Sequence, residues 1–118
     1  MADSTSATVN PDLAALHSQL VKLVAALDAA VASAATKSQV TALLDEIAEV
    51  NARVTMTGRQ LFTQQTAAIT REAAKVSAAV PEVQKAIDQL DNLKEFVGAM
   101  TKFLKMVDKV LSVAKLVV

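Results

Sequence analysis

The sequence predicts an all-α protein: an elongated helical hairpin or three-helix bundle with a long central helix and heptad-like seams. Apolar residues recur at alternating spacings of three and four, the period of a helix with one buried face. The 118 residues include only two glycines and two prolines, so there is little turn material. No stretch shows the strict apolar and polar alternation of a half-buried strand. We therefore expect a flexible polar leader, residues 1–9, and a single helical domain, residues 10–118.

The first helix is predicted over about residues 11–35. Asn10 has the residue type of an N-cap, and Pro11 suits the first turn of a helix. The leader before it lacks the basic start and apolar core of a secretory signal peptide, so we expect no cleaved signal. This leaves the compartment open between the cytoplasm and export by a signal-independent route. The heptad seam of the helix comprises Leu13, Leu16, Leu20, Leu23, Leu27, Ala30 and Ala34.

A second helix is predicted over about residues 37–79, because Thr36 and Gln39 have the spacing of a capping box. Gly58 follows a run of β-branched residues of low helix propensity, so it marks either a bend or a straight but weak stretch. We take Gly58 as a candidate hinge. The seam of this helix comprises Val40, Leu43, Ile47, Val50, Val54, Thr57 and Leu61, and it resumes at Ile69, Ala73, Val76 and Val80.

Pro81 either kinks a continuing helix or begins a new one. We favour a new start, because Pro81 and Glu82 make a good first turn and a third helix can then fold back along the second. This third helix is predicted over about residues 81–117, with Pro81 as a second candidate hinge.

The last two dozen residues have the broadest apolar face in the chain. On a helical wheel the apolar arc is roughly 200° wide, whereas an ordinary surface helix has a stripe of about 100° or a little more. Several neighbouring helices, an oligomer or a lipid surface can cover so wide a face, and the sequence leaves all three open. The candidate interaction residues are Phe96, Val97, Met100, Phe103, Leu104, Val107, Val110, Leu111 and Val117.

The composition argues against most catalytic chemistry. His17 is the single histidine and cysteine is absent, although a zinc site usually needs three or four ligands drawn largely from these residue types. Gly58 and Gly98 stand alone, so there is no glycine-rich phosphate loop. We therefore expect no enzyme activity, no cofactor and no metal.

The charges point to a protein or membrane partner rather than a nucleic acid. Twelve basic and twelve acidic residues give a net charge of zero, and a nucleic-acid binder needs a positive field. We expect a non-catalytic assembly protein that binds another copy, or another helical protein, through its C-terminal helix. The alternative is a membrane-active protein, a pore-forming or translocation component, whose C-terminal amphipathic helix binds or enters a bilayer.

Overall fold

A computed structural model describes residues 8–116 and contains four helices and no strand in that range. The predicted all-α class is confirmed. The three-helix count and the long central helix are wrong, because the stretch predicted to form two long helices forms three shorter ones. Residues 1–7 of the predicted leader and Val117 of the candidate face lie outside the described residues. The helices are α1 (Pro11–Ser33), α2 (Lys37–Arg59), α3 (Ala67–Asp88) and α4 (Leu93–Lys115).

The four helices form two antiparallel hairpins, α1–α2 and α3–α4, and the hairpins stack with α1 against α3 and α2 against α4. Asp12 accepts a hydrogen bond from Thr70, and Gln19 donates one to Ser77, so α1 and α3 run in the same direction. The helices α1 and α4 lie at opposite corners of the bundle, as do α2 and α3. Each helix therefore has two neighbours and one side facing the centre.

The break between the hairpins lies over residues 60–66, where a continuous helix was predicted. The helix α2 continues through Gly58 and ends at Arg59. The next helix begins after Thr66, whose hydroxyl accepts a hydrogen bond from the Ile69 backbone N–H at 3.2 Å. The polar run before Ile69 is thus a capped connection, and the chain reverses there instead of bending.

Pro81 lies inside α3, so the predicted helix start at this residue is wrong. Proline cannot donate a backbone hydrogen bond, which leaves the carbonyl of Ser77 without its helical partner. Both Pro81 and Ser77 are exposed, so water can satisfy that carbonyl. The new helix begins instead after Asn92, whose side chain accepts a hydrogen bond from the Glu95 backbone N–H at 3.2 Å.

Both ends of the bundle are tied by specific hydrogen bonds. At one end the buried Asn10 caps α1, as predicted, and its backbone N–H donates to the Leu61 carbonyl at 2.7 Å. At the other end Thr36 and Gln39 form the predicted capping box, and Gln39 also donates to the Leu90 carbonyl at 3.3 Å. These contacts fix each connection against the neighbouring hairpin.

The core runs along the axis of the bundle and draws on all four helices. Helix α4 supplies its largest share, including both phenylalanines of the core. The fully buried large side chains are Phe96, Leu13, Leu16, Leu20, Leu27, Leu43, Ile69, Met100, Val50, Val76, Val107 and Val110.

Candidate interaction surface

The structure places most of the predicted interaction face of α4 inside the protein. Among the members of this face that lie within residues 8–116, only Val97 is substantially exposed, at 41%. The prediction was based on three helices, whereas the protein has four in residues 8–116. The wide apolar arc of α4 therefore faces α2, α3 and the centre of the bundle. The first of the three alternatives, several neighbouring helices, is the one realised. The buried members of the face are Phe96, Met100, Phe103, Leu104, Val107, Val110 and Leu111.

The two candidate hinges lie within continuous helices. Gly58 packs beside His17 of α1, and a Cβ added to this glycine would lie 3.7 Å from the imidazole Nε2 atom, at ordinary van der Waals distance. Pro81 is on the exposed side of α3. The irregular backbone that joins the hairpins is the connection at residues 60–66, directly after Gly58.

The outward face of the α1–α2 hairpin, on the side away from α3 and α4, carries few charges. On α1, Gln19 faces α3 and His17 faces α2. Val21 lies about one turn after His17, so at 100° per residue it points in nearly the same direction but slightly further away from α3. On α2, Leu44 lies opposite Arg53, which faces α4. We define the outward face by the residues that share these directions: Ala14, Ser18, Val21, Ala25, Asp28, Ala32, Lys37, Thr41, Leu44, Ala48, Asn51, Thr55 and Arg59.

Two bulky apolar side chains stand out on this face. Val21 is 46% exposed and Leu44 is 52% exposed. The groove between the helices is floored by half-buried valine and isoleucine side chains. Alanine, serine and threonine fill most of the remaining positions, so another helix can approach closely. The groove residues are Val24, Val31, Ile47 and Val54.

The opposite side of the bundle, on the α3–α4 hairpin, has a different character. A shallow groove between its helices is lined by Glu82, Lys85, Glu95 and Lys102. By helical spacing Lys75 and Lys109 extend this charged surface. The two outward faces therefore differ in charge: the α1–α2 face carries one acid, Asp28, and two bases, Lys37 and Arg59, and the α3–α4 face carries more charges.

The flank between α2 and α4 carries the main ion-pair network. The Arg53 guanidinium donates to both Asp108 carboxylate oxygens and to Glu49. The hydrogen bonds that Arg53 donates to Asp108 raise the pKa of Arg53, against the opposing effect of burial. Burial raises the pKa of Glu46, and the nearby carboxylates of Glu49 and Asp45 raise it further. This network links the two hairpins on the flank between α2 and α4.

The described residues bring together no recognisable set of catalytic or metal-binding groups. Residues 8–116 contain no cluster of three or more histidine, aspartate or glutamate side chains able to hold a metal ion. His17 lies against Gly58 and is half-buried. The arrangement offers surfaces for contact, and we identify no constellation for chemistry in that part of the chain.

The sequence reasoning missed the outward face of α1–α2, although signals for it were present. Val21 and Leu44 lie off the predicted seams, at helix positions where a polar residue is usual. Helix α1 also has the length and hydropathy of a helix able to cross a membrane, with a mean hydropathy of 1.3 in its most apolar window. A buried helix of a bundle meets the same criterion, so hydropathy alone does not separate the two.

The fold and surface define a small all-helical bundle protein built from two stacked hairpins. Comparison with protein-family models, with curated proteins and with solved structures finds no match to this chain.

Proposed function

We propose that the protein is a non-catalytic helical assembly or interaction protein that self-associates or binds a helical partner while its four helices stay folded. The observation that carries this proposal is the contrast between the two outward faces: Val21 and Leu44 are exposed among few charges on α1–α2, whereas charged residues line the groove on α3–α4. Apolar side chains exposed among few charges offer a surface that another protein can cover. Both ends of the bundle are tied by hydrogen bonds, which favours action as an intact unit.

This proposal moves the contact surface away from the C-terminal helix. The sequence favoured the broad face of α4, but that face is already used by the core. Exposing Phe96 or Phe103 to a partner would forfeit roughly 1.5–3 kcal/mol for each large side chain removed from the core. The outward face of α1–α2 needs no such rearrangement.

The alternative function is that of a membrane-active protein, and the hydropathy of α1 is the observation that favours it. In this mechanism the two hairpins separate at residues 60–66, and the apolar faces of α1 and α4 meet lipid. An amphipathic helix flanked by lysines is suited to such a surface. The bundle must then open on contact with a bilayer.

The solution mass distinguishes the two functions. We expect sedimentation velocity to show a multimer in plain buffer at about 100 μM protein, and flotation to leave the protein unbound to neutral or anionic vesicles. A monomer that floats with vesicles and makes them leak would contradict the assembly proposal and support the membrane-active alternative.

A further inference from the structure

We infer that a pocket between α1, α3 and α4 binds a small aromatic carboxylate, with the ring against the core and the carboxylate at Lys22. This inference goes beyond the proposed function and does not depend on it, because the pocket lies on the α1–α3 flank and not on the outward face of α1–α2. Its support comes from the depth and size of the pocket, from the proline beside it and from the charge at its rim.

The pocket reaches the hydrophobic core of the bundle. Its apolar wall is formed by Leu23, Val80, Val83 and Phe103. Val83 and Phe103 are both buried, so a ligand that enters here contacts core side chains. Because Phe103 lines the pocket, an aromatic ring gains an aromatic contact that an alkyl chain of the same size lacks.

The size of the pocket matches one six-membered ring. Its volume is about 110 Å³. For comparison, a closed apolar cavity of about 150 Å³ holds one benzene molecule. Exposed Lys22 and Gln84 lie at the rim, so the pocket is open to solvent on that side. A ring therefore fits with its polar substituent at the rim.

Pro81 places the weakest turn of α3 beside the pocket. It lies directly after Val80 and is followed within one turn by Val83 and Gln84, which also line the pocket. Proline inside a helix removes one backbone hydrogen bond and crowds the preceding turn. We therefore expect the wall at Val80 to adjust to a ring more easily than a regular helical turn would.

Lys22 gives the rim its charge and favours an anionic ligand. Among residues 8–116, no other charged side chain lines this pocket, and no carboxylate forms an ion pair with Lys22. Gln19 and Gln84 complete the rim, and each already donates a side-chain hydrogen bond to α3. A carboxylate at the rim can accept a charge-assisted hydrogen bond from the Lys22 ammonium group.

The acid Asp88 on the same flank of α3 lies further along the bundle. The hydrogen bonds of Asp12 with Thr70 and of Gln19 with Ser77 both match an α1 residue with the α3 residue 58 positions later. Lys22 is therefore level with Val80, and Asp88 lies about 12 Å beyond it along the axis. This separation exceeds the Debye length of about 8 Å at physiological ionic strength, so the charge of Asp88 is largely screened at the rim.

The test uses benzoate as the probe, titrated into the full chain with isotope-labelled methyl groups and followed by NMR. We expect saturable shifts at the methyl groups of Leu23, Val80 and Val83, with a Kd of about 1 mM for so small a ligand. The methyl groups of Leu44, on the outward face of α1–α2, should not shift. Acetate, which has the charge but no ring, should cause no saturable shift in the pocket.

Two variants separate the charge of the pocket from its apolar wall, and circular dichroism first checks that both are helical. We expect K22A to bind benzoate about 5-fold more weakly, because it removes a partly screened ion pair. The matched control is K109A, an exposed lysine of α4 that does not line the pocket, and it should bind as the wild type does. V80F places a ring in the pocket and should abolish the shifts at Leu23.

Each other outcome overturns a defined part of the inference. The absence of saturable shifts at up to about 20 mM benzoate overturns the site, as do shifts centred on residues away from the pocket. Folded V80F that binds as tightly as the wild type also overturns the site. Equal affinity of K22A and K109A overturns the anionic class of ligand, and this comparison holds even if V80F does not fold. The assembly function is tested separately, by the solution mass.

Discussion

Arg53 and Asp108 form a bidentate ion pair that joins α2 to α4. The Nε and Nη2 atoms of Arg53 each donate to one Asp108 carboxylate oxygen, and both distances are 3.0 Å. The arginine side chain is 17% exposed and the aspartate side chain 47%. Since the hairpins are joined in sequence only by residues 60–66, this side-chain pair is one of the specific contacts that hold them in register.

We expect Asp108→Asn to lower the free energy of unfolding by about 1 kcal/mol, because it removes a charge-assisted bidentate contact that solvent partly screens. Urea denaturation monitored by circular dichroism measures the change. Asp91→Asn, at an exposed position in the α3–α4 connection, is the control and should change stability little. Equal losses in the two variants would mean that general charge, and not this pair, is responsible.

Charged substitutions on the buried face of α4 should unfold the protein rather than dissociate an assembly. Phe103 is 2% exposed and Val110 is fully buried. Loss of a buried phenylalanine alone costs about 3–5 kcal/mol, and an unpaired buried charge adds to it. We expect F103D/V110D to lose its helical circular dichroism signal. A variant that stays helical and becomes monomeric would instead place the interface on α4.

Gly98→Ala should stabilise the protein by about 0.5–1 kcal/mol, because alanine has the higher helix propensity. A Cβ at Gly98 would meet no atom within 4 Å, so no close crossing requires this glycine. Thermal or urea unfolding checks the gain. A loss of stability would show that another chain approaches α4 at this residue.

The stability should depend on pH through Glu46. Its folded-state pKa is raised from the ordinary value of 4.5, chiefly by burial and then by Glu49 and Asp45. The folded protein therefore holds this proton more tightly than the unfolded chain, and the stability falls as pH rises from about 4.5 through the raised pKa. Glu46→Gln removes this cost at neutral pH.

The measurement for Glu46 is the free energy of unfolding of the wild type and Glu46→Gln at several pH values. We expect the variant to be the more stable protein at pH 7, with the difference closing as pH falls below 4.5. Glu82→Gln, on an exposed part of α3, is the matched control. A difference that does not change with pH would contradict the burial argument.

The helix class and two of the caps could be predicted because they depend on local sequence. Asn10 caps α1, and Thr36 with Gln39 forms a capping box, as their spacing indicated. The breaks after Arg59 and before Asn92 were missed. The apolar seam is interrupted between Leu61 and Ile69, but neither connection contains a glycine or proline to mark a reversal. Pro81 was predicted to begin a helix. Because Ser77 and Pro81 are exposed, water can satisfy the Ser77 carbonyl, and α3 continues through the proline.

The candidate surface could be predicted only in part, because burial depends on the number of neighbouring helices. The breadth of the α4 face indicated several neighbouring helices, an oligomer or a lipid surface, and neighbouring helices of the same chain bury most of it. Which of these applied depended on a fourth helix that the sequence did not reveal. Val21 and Leu44 can be recognised as exposed apolar residues only after the structure shows which neighbouring residues pack against other helices.

Thiol reactivity of single cysteines tests the central claim most directly, since the chain contains no cysteine of its own. The claim is that the apolar face of α4 is enclosed by its own chain. We predict that F103C stays protected from alkylation in the folded protein, whereas V97C reacts rapidly, because Phe103 is 2% exposed and Val97 is 41% exposed. Rapid alkylation of F103C in the folded protein would contradict the account.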